Sequence, residues 1–313
     1  MTVAANTVAA ATPTTGATTL SIRPRYEGAN ICTWIGFKHV NYMVEEAVLD
    51  HLREQGTPAG ALYERYGLCV DLVDIDTKML TAYHIDDVAI ATVRRVADDV
   101  GQMRFVVDMT TAANPTVKVV RARVAVVLRS DPRGVPAELA PAELAPYVVA
   151  ELGTPARIAL TGDPVLQLSD GKNAFAWSWR VPYPYCHFTE RVQMNGYLRL
   201  LEEAVDLFLE DRGVSIKTLL DGDNLIPVVP RSQVRIVGEA RMEEVVHTVF
   251  TVEDVFKNFT YTARMDCYVV RDGDLVPTAT GTITHGYALI DSRRDWSVVE
   301  FPEHLAAALR GAE

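Results

Sequence analysis

The chain has 313 residues, 49% of them hydrophobic, so it can bury one large core or two of ordinary size, and two is the better expectation. Thirty Lys and Arg against 41 Asp and Glu leave a formal net charge of −11, which argues against nucleic acid or an anionic membrane surface as partner. Cys32, Cys69, Cys186 and Cys267 make no CxxC or Cys/His metal spacing and read as reduced packing residues, with no metal site.

Residues 1–20 are rich in Ala and Thr and carry no Lys or Arg before Arg23, unlike a signal peptide, so they read as a disordered leader. No stretch is long and apolar enough to span a bilayer, and a cytoplasmic location is expected. From Arg23 the chain begins a segment that returns without a gap 157 positions later. Arg23, Tyr26, Glu45, Glu46, Ala47, Val48, Leu52 and Gly56 meet the same residue types at Arg180, Tyr183, Glu202, Glu203, Ala204, Val205, Leu209 and Gly213. Ordinary residue frequencies would give roughly two or three such identities over a segment of this length.

In the first copy Val40, Met43, Val44, Ala47, Val48 and Leu52 step by three and four, predicting an amphipathic helix stopped at Gly56. Strands rich in Val, Ile and Thr follow near 68–75, 88–97, 103–111 and 117–129. The Pro/Ala stretch 136–146 predicts a connector with a short helical piece. In the second copy Tyr197, Leu200, Leu201, Ala204, Val205, Phe208 and Leu209 mark the equivalent helix, with Asn195 as its expected N-cap. Strands follow near 225–238, 243–253, 259–271 and 276–290, with Arg271-Asp272-Gly273-Asp274 as a hairpin turn. Each copy thus reads as one strand, a central helix and a meander of strands.

The runs His39-Val40-Asn41-Tyr42 into Glu45-Glu46-Ala47, and Tyr197-Leu198 into Leu201-Glu202-Glu203-Ala204, resemble the helix signature of the 4-hydroxybenzoyl-CoA thioesterase branch of hotdog proteins. The resemblance implies an α+β fold: a double hotdog of two tandem hotdog domains, each a curved antiparallel sheet wrapped around a central helix. Expected boundaries are a leader at 1–20, hotdog domains at 21–130 and 173–295, a linker at 131–172 and a C-terminal extension at 296–313. Hotdog domains work as dimers with sites at the seam, and a fused pair supplies both halves.

One group of those thioesterases places a catalytic Asp fifteen residues ahead of the first Glu of the signature. Here that position holds Asn30 in copy 1 and His187 in copy 2, neither a carboxylate. Other hotdog hydrolases use a carboxylate on the central helix. Neighbouring helix residues point about 100° apart, so at most one of Glu45 and Glu46 is expected to face a given site.

The longer string Arg25-Tyr26-Glu27-Gly28-Ala29-Asn30-Ile31, with Thr33-Trp34-Ile35-Gly36-Phe37-Lys38-His39, resembles the bifunctional acyltransferase/decarboxylase of leinamycin-type polyketide biosynthesis. That resemblance implies methylmalonyl-CoA as substrate, an acyl carrier protein as partner, no cofactor beyond the coenzyme A thioester itself, and an acyl-O-tyrosine shortly after the first helix. Tyr63 is the favoured nucleophile and Tyr66 the alternative. His39 is the expected proton carrier, and Asn30 donates where an Asp would repel an enolate or a malonyl carboxylate. Gly36 and Phe37, at the start of the helix, would present free backbone N–H groups to the thioester carbonyl, with Thr33 and Trp34 completing the substrate-binding set.

The rival enzyme reading is a plain acyl-CoA or acyl-ACP thioesterase. A dehydratase would use His187 with Glu190, or His285, and a non-catalytic binding module is the remaining alternative. The two copies share the helix but not the loop before it: Asn30, Gly36 and His39 face His187, Gln193 and Gly196. One working site, on copy 1, is expected, with copy 2 supplying a wall or a degenerate second site. Whether the pseudo-dimer pairs again as a homodimer is left open by the sequence.

Overall fold

The computed structural model describes residues 16–99, 101–153, 155–290 and 297–311. The first half runs through β1 (Thr18–Ile22), α1 (Phe37–Glu54), α2 (Ala59–Tyr66), β2 (Leu68–Met79), β3 (Ala89–Arg95), β4 (Met103–Thr111) and β5 (Val120–Ser130). A connector carries the short strands β6 (Val148–Val149) and β7 (Ile158–Ala159) and the short helix α3 (Pro164–Ser169). The second half repeats the plan with β8 (Ala174–Arg180), α4 (Met194–Asp211), α5 (Ile216–Asp223), β9 (Leu225–Ile236), β10 (Val245–Phe256), β11 (Thr260–Arg271) and β12 (Asp274–Leu289). Helix α6 (Glu303–Arg310) closes the described chain.

The offset of 157 holds well beyond the segment that reveals it in the sequence. Helices α1 and α4, α2 and α5, and strands β2 and β9 all begin and end 157 residues apart. So do the left-handed residues Gly67 and Asn224 that stop α2 and α5, and Gly56 and Gly213 just past α1 and α4. The turn at Asp272 and Gly273 has positive φ at both residues, which matches the right-handed twist of the flanking strands. Asn195 is not the N-cap of α4: the helix starts one residue earlier, Gln193 occupies the cap, and the Asn195 amide lies 2.7 Å from Nε2 of His187.

All the main strands form one antiparallel sheet in the order β1-β3-β4-β5-β2-β9-β12-β11-β10-β8. The two halves meet where β2 pairs with β9, in the register Asp74↔Arg235 through Lys78↔Arg231. Each pair there has a partner pair 157 residues on, and Asp76↔Gln233 maps onto itself, so a pseudo-twofold axis passes through that pair. On the outer face Arg231 forks onto Asp76 with both nitrogens at 3.2 Å, and Arg235 reaches Asp74 at 3.3 Å.

The concave side holds α1 and α4. Val40, Val44, Ala47, Val48 and Leu52 of α1, and Leu201, Ala204, Phe208 and Leu209 of α4, are buried in one continuous core with the inner faces of both half-sheets. Full burial of each Val-, Leu- or Phe-sized side chain contributes about 1.5–3 kcal/mol, which is why the sheet curls around these stripes.

The expected leader lies outside the described residues apart from 16–20, and three of those, Thr18, Thr19 and Leu20, already belong to β1. The expected linker is partly structured, since β6 adds to β5 and β7 to β12. No described helix is long and apolar enough to cross a membrane.

Candidate active site

The loop before α1 is stitched to the segment after β2. Ile35 N–H donates to Tyr83 O at 2.8 Å, Ile85 N–H to Thr33 O at 2.9 Å, and Thr33 Oγ1 lies 3.0 Å from His84 Nδ1. Within the loop Gly36 N–H donates to Gly28 O at 2.9 Å. Both glycines are required by close approach. A Cβ on Gly36 would stand 2.8 Å from the Asn30 side-chain oxygen, and one on Gly28 would strike the His39 ring at 2.8 Å. Gly36 is the N-cap of α1, so the N–H groups of Phe37 and Lys38 have no acceptor within the helix.

Against this helix end lies a cavity of about 530 Å³, within the range of small-ligand sites. Its walls come from both halves. Copy 1 gives Asn30, Trp34, Gly36, Phe37, Met79 and Tyr83, and copy 2 gives Arg199, Glu202, Glu203 and Asp206 of α4 with Val228 and His285 behind them. Lys38, on the first turn of α1, pairs with Glu202 across the seam. The Tyr185 hydroxyl donates to Glu203 at 3.1 Å, and Arg199 sits 5.6 Å over the Tyr185 ring. Burial, reinforced by Glu203, pushes the Tyr185 phenol up to about 12. Burial drives His285 down to about 3, so this wall residue is a neutral imidazole.

The pseudo-twofold axis generates a second position between the loop before α4 and helix α1, and there the space shrinks to about 30 Å³. The residue exchange explains the difference. Trp34, Val228 and Ala82 are replaced by Arg191, Asp71 and Glu239, and Arg129, opposite Cys69, stands where Ala288 stands opposite Ile226. Arg191 donates to Asp71 at 3.1 Å, Arg129 pairs with Glu239 and lies 4.0 Å from Asp71, and Gln193 reaches Asp71 at 3.4 Å. Where the open position packs Trp34, Ile226, Val228 and Ala288 as an apolar cluster, its mate is a buried knot of charge. Glu45, the mate of Glu202, lines that small space, and burial followed by repulsion from Glu46 lifts its carboxyl to about 7.

Comparison with solved structures gives the fold its name. The 12:0-ACP thioesterase from Umbellularia californica aligns over 87% of this chain and 94% of its own, with 10% identity and a TM-score of 0.61. A protein described as an oleoyl thioesterase from Lactobacillus plantarum aligns over 87% and 95%, with 14% identity and a TM-score of 0.60. An acyl-ACP thioesterase from Bacteroides thetaiotaomicron aligns over 87% and 98%, with 12% identity and a TM-score of 0.55. The chain is a double hotdog. In sequence, residues 182–309 of the double hotdog match the model of the Thioesterase-like superfamily, and no curated protein sequence matches the chain.

Of the residues singled out in the sequence, Asn30, Trp34, Gly36 and Phe37 line the cavity of the double hotdog. Thr33 is exposed behind it, turned to His84. His39 is not among the lining residues. It lies under Gly28, edge-on to Tyr42 at 5.1 Å and 4.0 Å from Glu27, and burial followed by Lys38 lowers its pKa. Tyr63 and Tyr66 stand on α2, away from the lining set. Tyr63 packs edge-on against Phe188 at 5.1 Å, and Tyr66 lies under the Arg65 guanidinium. His187 is exposed and tied to Asn195, and Glu190 pairs with Arg133, so they form no His–carboxylate pair.

Sequence reasoning missed Arg199, Glu202, Glu203 and Asp206 as site residues because it sought the carboxylate on the same copy's helix. The fused seam was the available signal, since it sets the helix of copy 2 against the loop of copy 1. Of Glu45 and Glu46, Glu45 lines the small second space and Glu46 does not, as expected, whereas their mates on α4 behave differently. The cavity wraps around the outer side of α4 widely enough for Glu202 and Glu203 both to line it.

Proposed function

We propose that the double hotdog hydrolyses an acyl thioester carried on coenzyme A or on an acyl carrier protein, at the open cavity between the start of α1 and helix α4. One observation carries the reading: the uncapped end of α1 and a row of α4 carboxylates meet across the same apolar-walled space. The thioester carbonyl is placed against the N–H groups of Phe37 and Lys38, where the helix end stabilises the oxyanion of the tetrahedral intermediate. Glu202, held at the mouth of this helix end by Lys38, takes a proton from a water molecule as its oxygen attacks the carbonyl carbon. Collapse of the intermediate breaks the C–S bond, and the departing thiolate takes up the proton from Glu202. The tyrosine on α2 has no part in this scheme.

The test is thiol release from a panel of acyl-CoA and acyl-carrier thioesters by the purified protein, with Glu202→Gln alongside. Release by the wild type and its loss in the variant support the reading; no release from any member sinks it.

Transfer of a methylmalonyl group to a carrier protein with loss of carbon dioxide is the second reading. Asn30 in the cavity favours it, because an amide there would not repel a malonyl carboxylate. The position of Tyr63 outside the lining residues, and the three carboxylates of α4 inside them, weigh against it. Incubation with methylmalonyl-CoA and a phosphopantetheinylated carrier separates the two. Free acid as product supports hydrolysis, and a propionyl carrier supports transfer.

A further inference from the structure

Beneath the first turn of α1 lies a buried polar group that the scheme above does not use. Asn41 Nδ2 donates to Phe37 O at 2.9 Å and to Ser232 Oγ at 3.2 Å, and Thr77 Oγ1 donates to Asn41 Oδ1 at 2.7 Å. All three side chains are nearly inaccessible, with exposures of 0% for Asn41, 0% for Thr77 and 1% for Ser232. Thr77 and Ser232 are themselves paired across the seam between β2 and β9, so this network ties α1 to both halves of the molecule at once.

The pseudo-twofold axis supplies an internal control. The mates of Asn41, Thr77 and Ser232 are Leu198, Val234 and Ile75, all buried and all apolar. The same backbone therefore packs without any polar group under α4, whose helix start faces the filled position. Three matched positions are polar only under the helix whose free end reaches the open cavity. A buried polar network is seldom worth more to stability than an apolar core of the same shape, so stability gives no reason for the difference.

The geometry points to Asn41 as a positioning residue for the oxyanion-binding end of α1, an inference that rests on the thioester reading of the cavity. The Phe37 carbonyl and the Lys38 N–H belong to one rigid peptide plane. Holding that carbonyl from below fixes the direction of the Lys38 N–H, and a donor on the carbonyl oxygen polarises the N–H further. Thr77 orients the Asn41 amide so that its NH₂, and not its oxygen, meets the Phe37 carbonyl. Asn41 touches no reacting atom in this arrangement and acts only through the peptide it holds.

The experiment installs the apolar set of the other half, as Asn41→Leu with Thr77→Val and Ser232→Ile, and compares it with Thr77→Ser, which keeps the hydroxyl. The triple variant is expected to stay folded, with a melting temperature at or above that of the wild type. On a thioester the wild type hydrolyses, its kcat is expected to fall about 10- to 100-fold at a KM within a factor of about three, as a misdirected transition-state donor requires. Thr77→Ser should keep kcat near that of the wild type. A folded triple variant with undiminished kcat, or with raised KM alone, overturns the proposal. Should the overpacked triple variant fail to fold, Asn41→Ala, which removes the donor to Phe37 O, is expected to lose the same kcat, and an undiminished kcat there overturns the proposal equally. A wild type that hydrolyses no thioester overturns the function and leaves this inference to be read from hydrogen exchange at the Lys38 amide. Faster exchange in the triple variant then supports it, and unchanged exchange overturns it.

Discussion

The two seam positions share a backbone and differ in what fills them. At the first, Trp34, Val228 and Ala82 wall a space of about 530 Å³ between a free helix end and three carboxylates. At the second, Arg191, Asp71 and Glu239, joined by Arg129, occupy the equivalent places and leave about 30 Å³. A homodimer must keep both of its seam sites identical, because one sequence builds them. Fusion removes that constraint, and here one position holds the open cavity while the other has become part of the structure that joins the halves. The charges at the closed position come from both halves and from the start of the connector, where Asp131 stands 3.9 Å from Arg191, and Arg129 also donates to Ala150 O at 3.0 Å.

The largest effect expected from this contrast is on stability. Asp71→Ala takes from Arg191 its nearest carboxylate and leaves it Asp131 at 3.9 Å, while Arg129 keeps Glu239, and a loss of about 3 kcal/mol, the low end for breaking one side of such a cluster, is expected. Its mate in the open cavity, Val228→Ala, removes only apolar atoms beside existing space and should cost about 1 kcal/mol. Urea unfolding of the two variants reads the difference directly. Equal losses would mean that the closed position is not held by its charges.

Next comes catalysis, compared at the two mated glutamates. Glu202→Gln is expected to lower kcat at least about 100-fold, the contribution of a positioned general base. Glu45→Gln, at the closed position, should leave kcat within a factor of about two. Steady-state kinetics on one thioester decides it, and a large loss at Glu45 would put chemistry at the wrong end of the axis.

The contrast also marks what the sequence reveals. Helices and strands were legible because their apolar periodicity is local, and the eight identities at a constant spacing announced the duplication. Asn30, Gly36 and Phe37 were legible because they precede a helix whose start could be placed. The charged cluster was not, because Asp71, Arg129, Arg191 and Glu239 are far apart in sequence and meet only when β2, β5, the loop before α4 and the segment after β9 pack together. Tyr63 was attractive for its distance from α1 along the chain, but α2 turns it toward Phe188. The α4 carboxylates carry the same lesson, since the residues that face copy 1 belong to copy 2.

The smallest effect is a pH dependence confined to the closed position. Burial lifts the folded-state pKa of Glu45 from 4.5 to about 7, so between those values the folded chain binds a proton that the unfolded chain has already released. Stability from this group is therefore fully present below about pH 4.5, declines as pH rises, and is gone above about pH 7. Glu45→Gln removes the titration and keeps the shape, so the variant should gain on the wild type by roughly 2–3 kcal/mol between pH 5 and pH 8. Taking the difference between the two proteins cancels Asp98, Asp108 and Glu239, whose pKa values are lowered by paired arginines and whose contributions run the other way. A difference that stays flat from pH 5 to pH 8 would show that Glu45 is ionised in the folded state, its charge then adding to those of Asp71, Asp131 and Glu239 around Arg129 and Arg191.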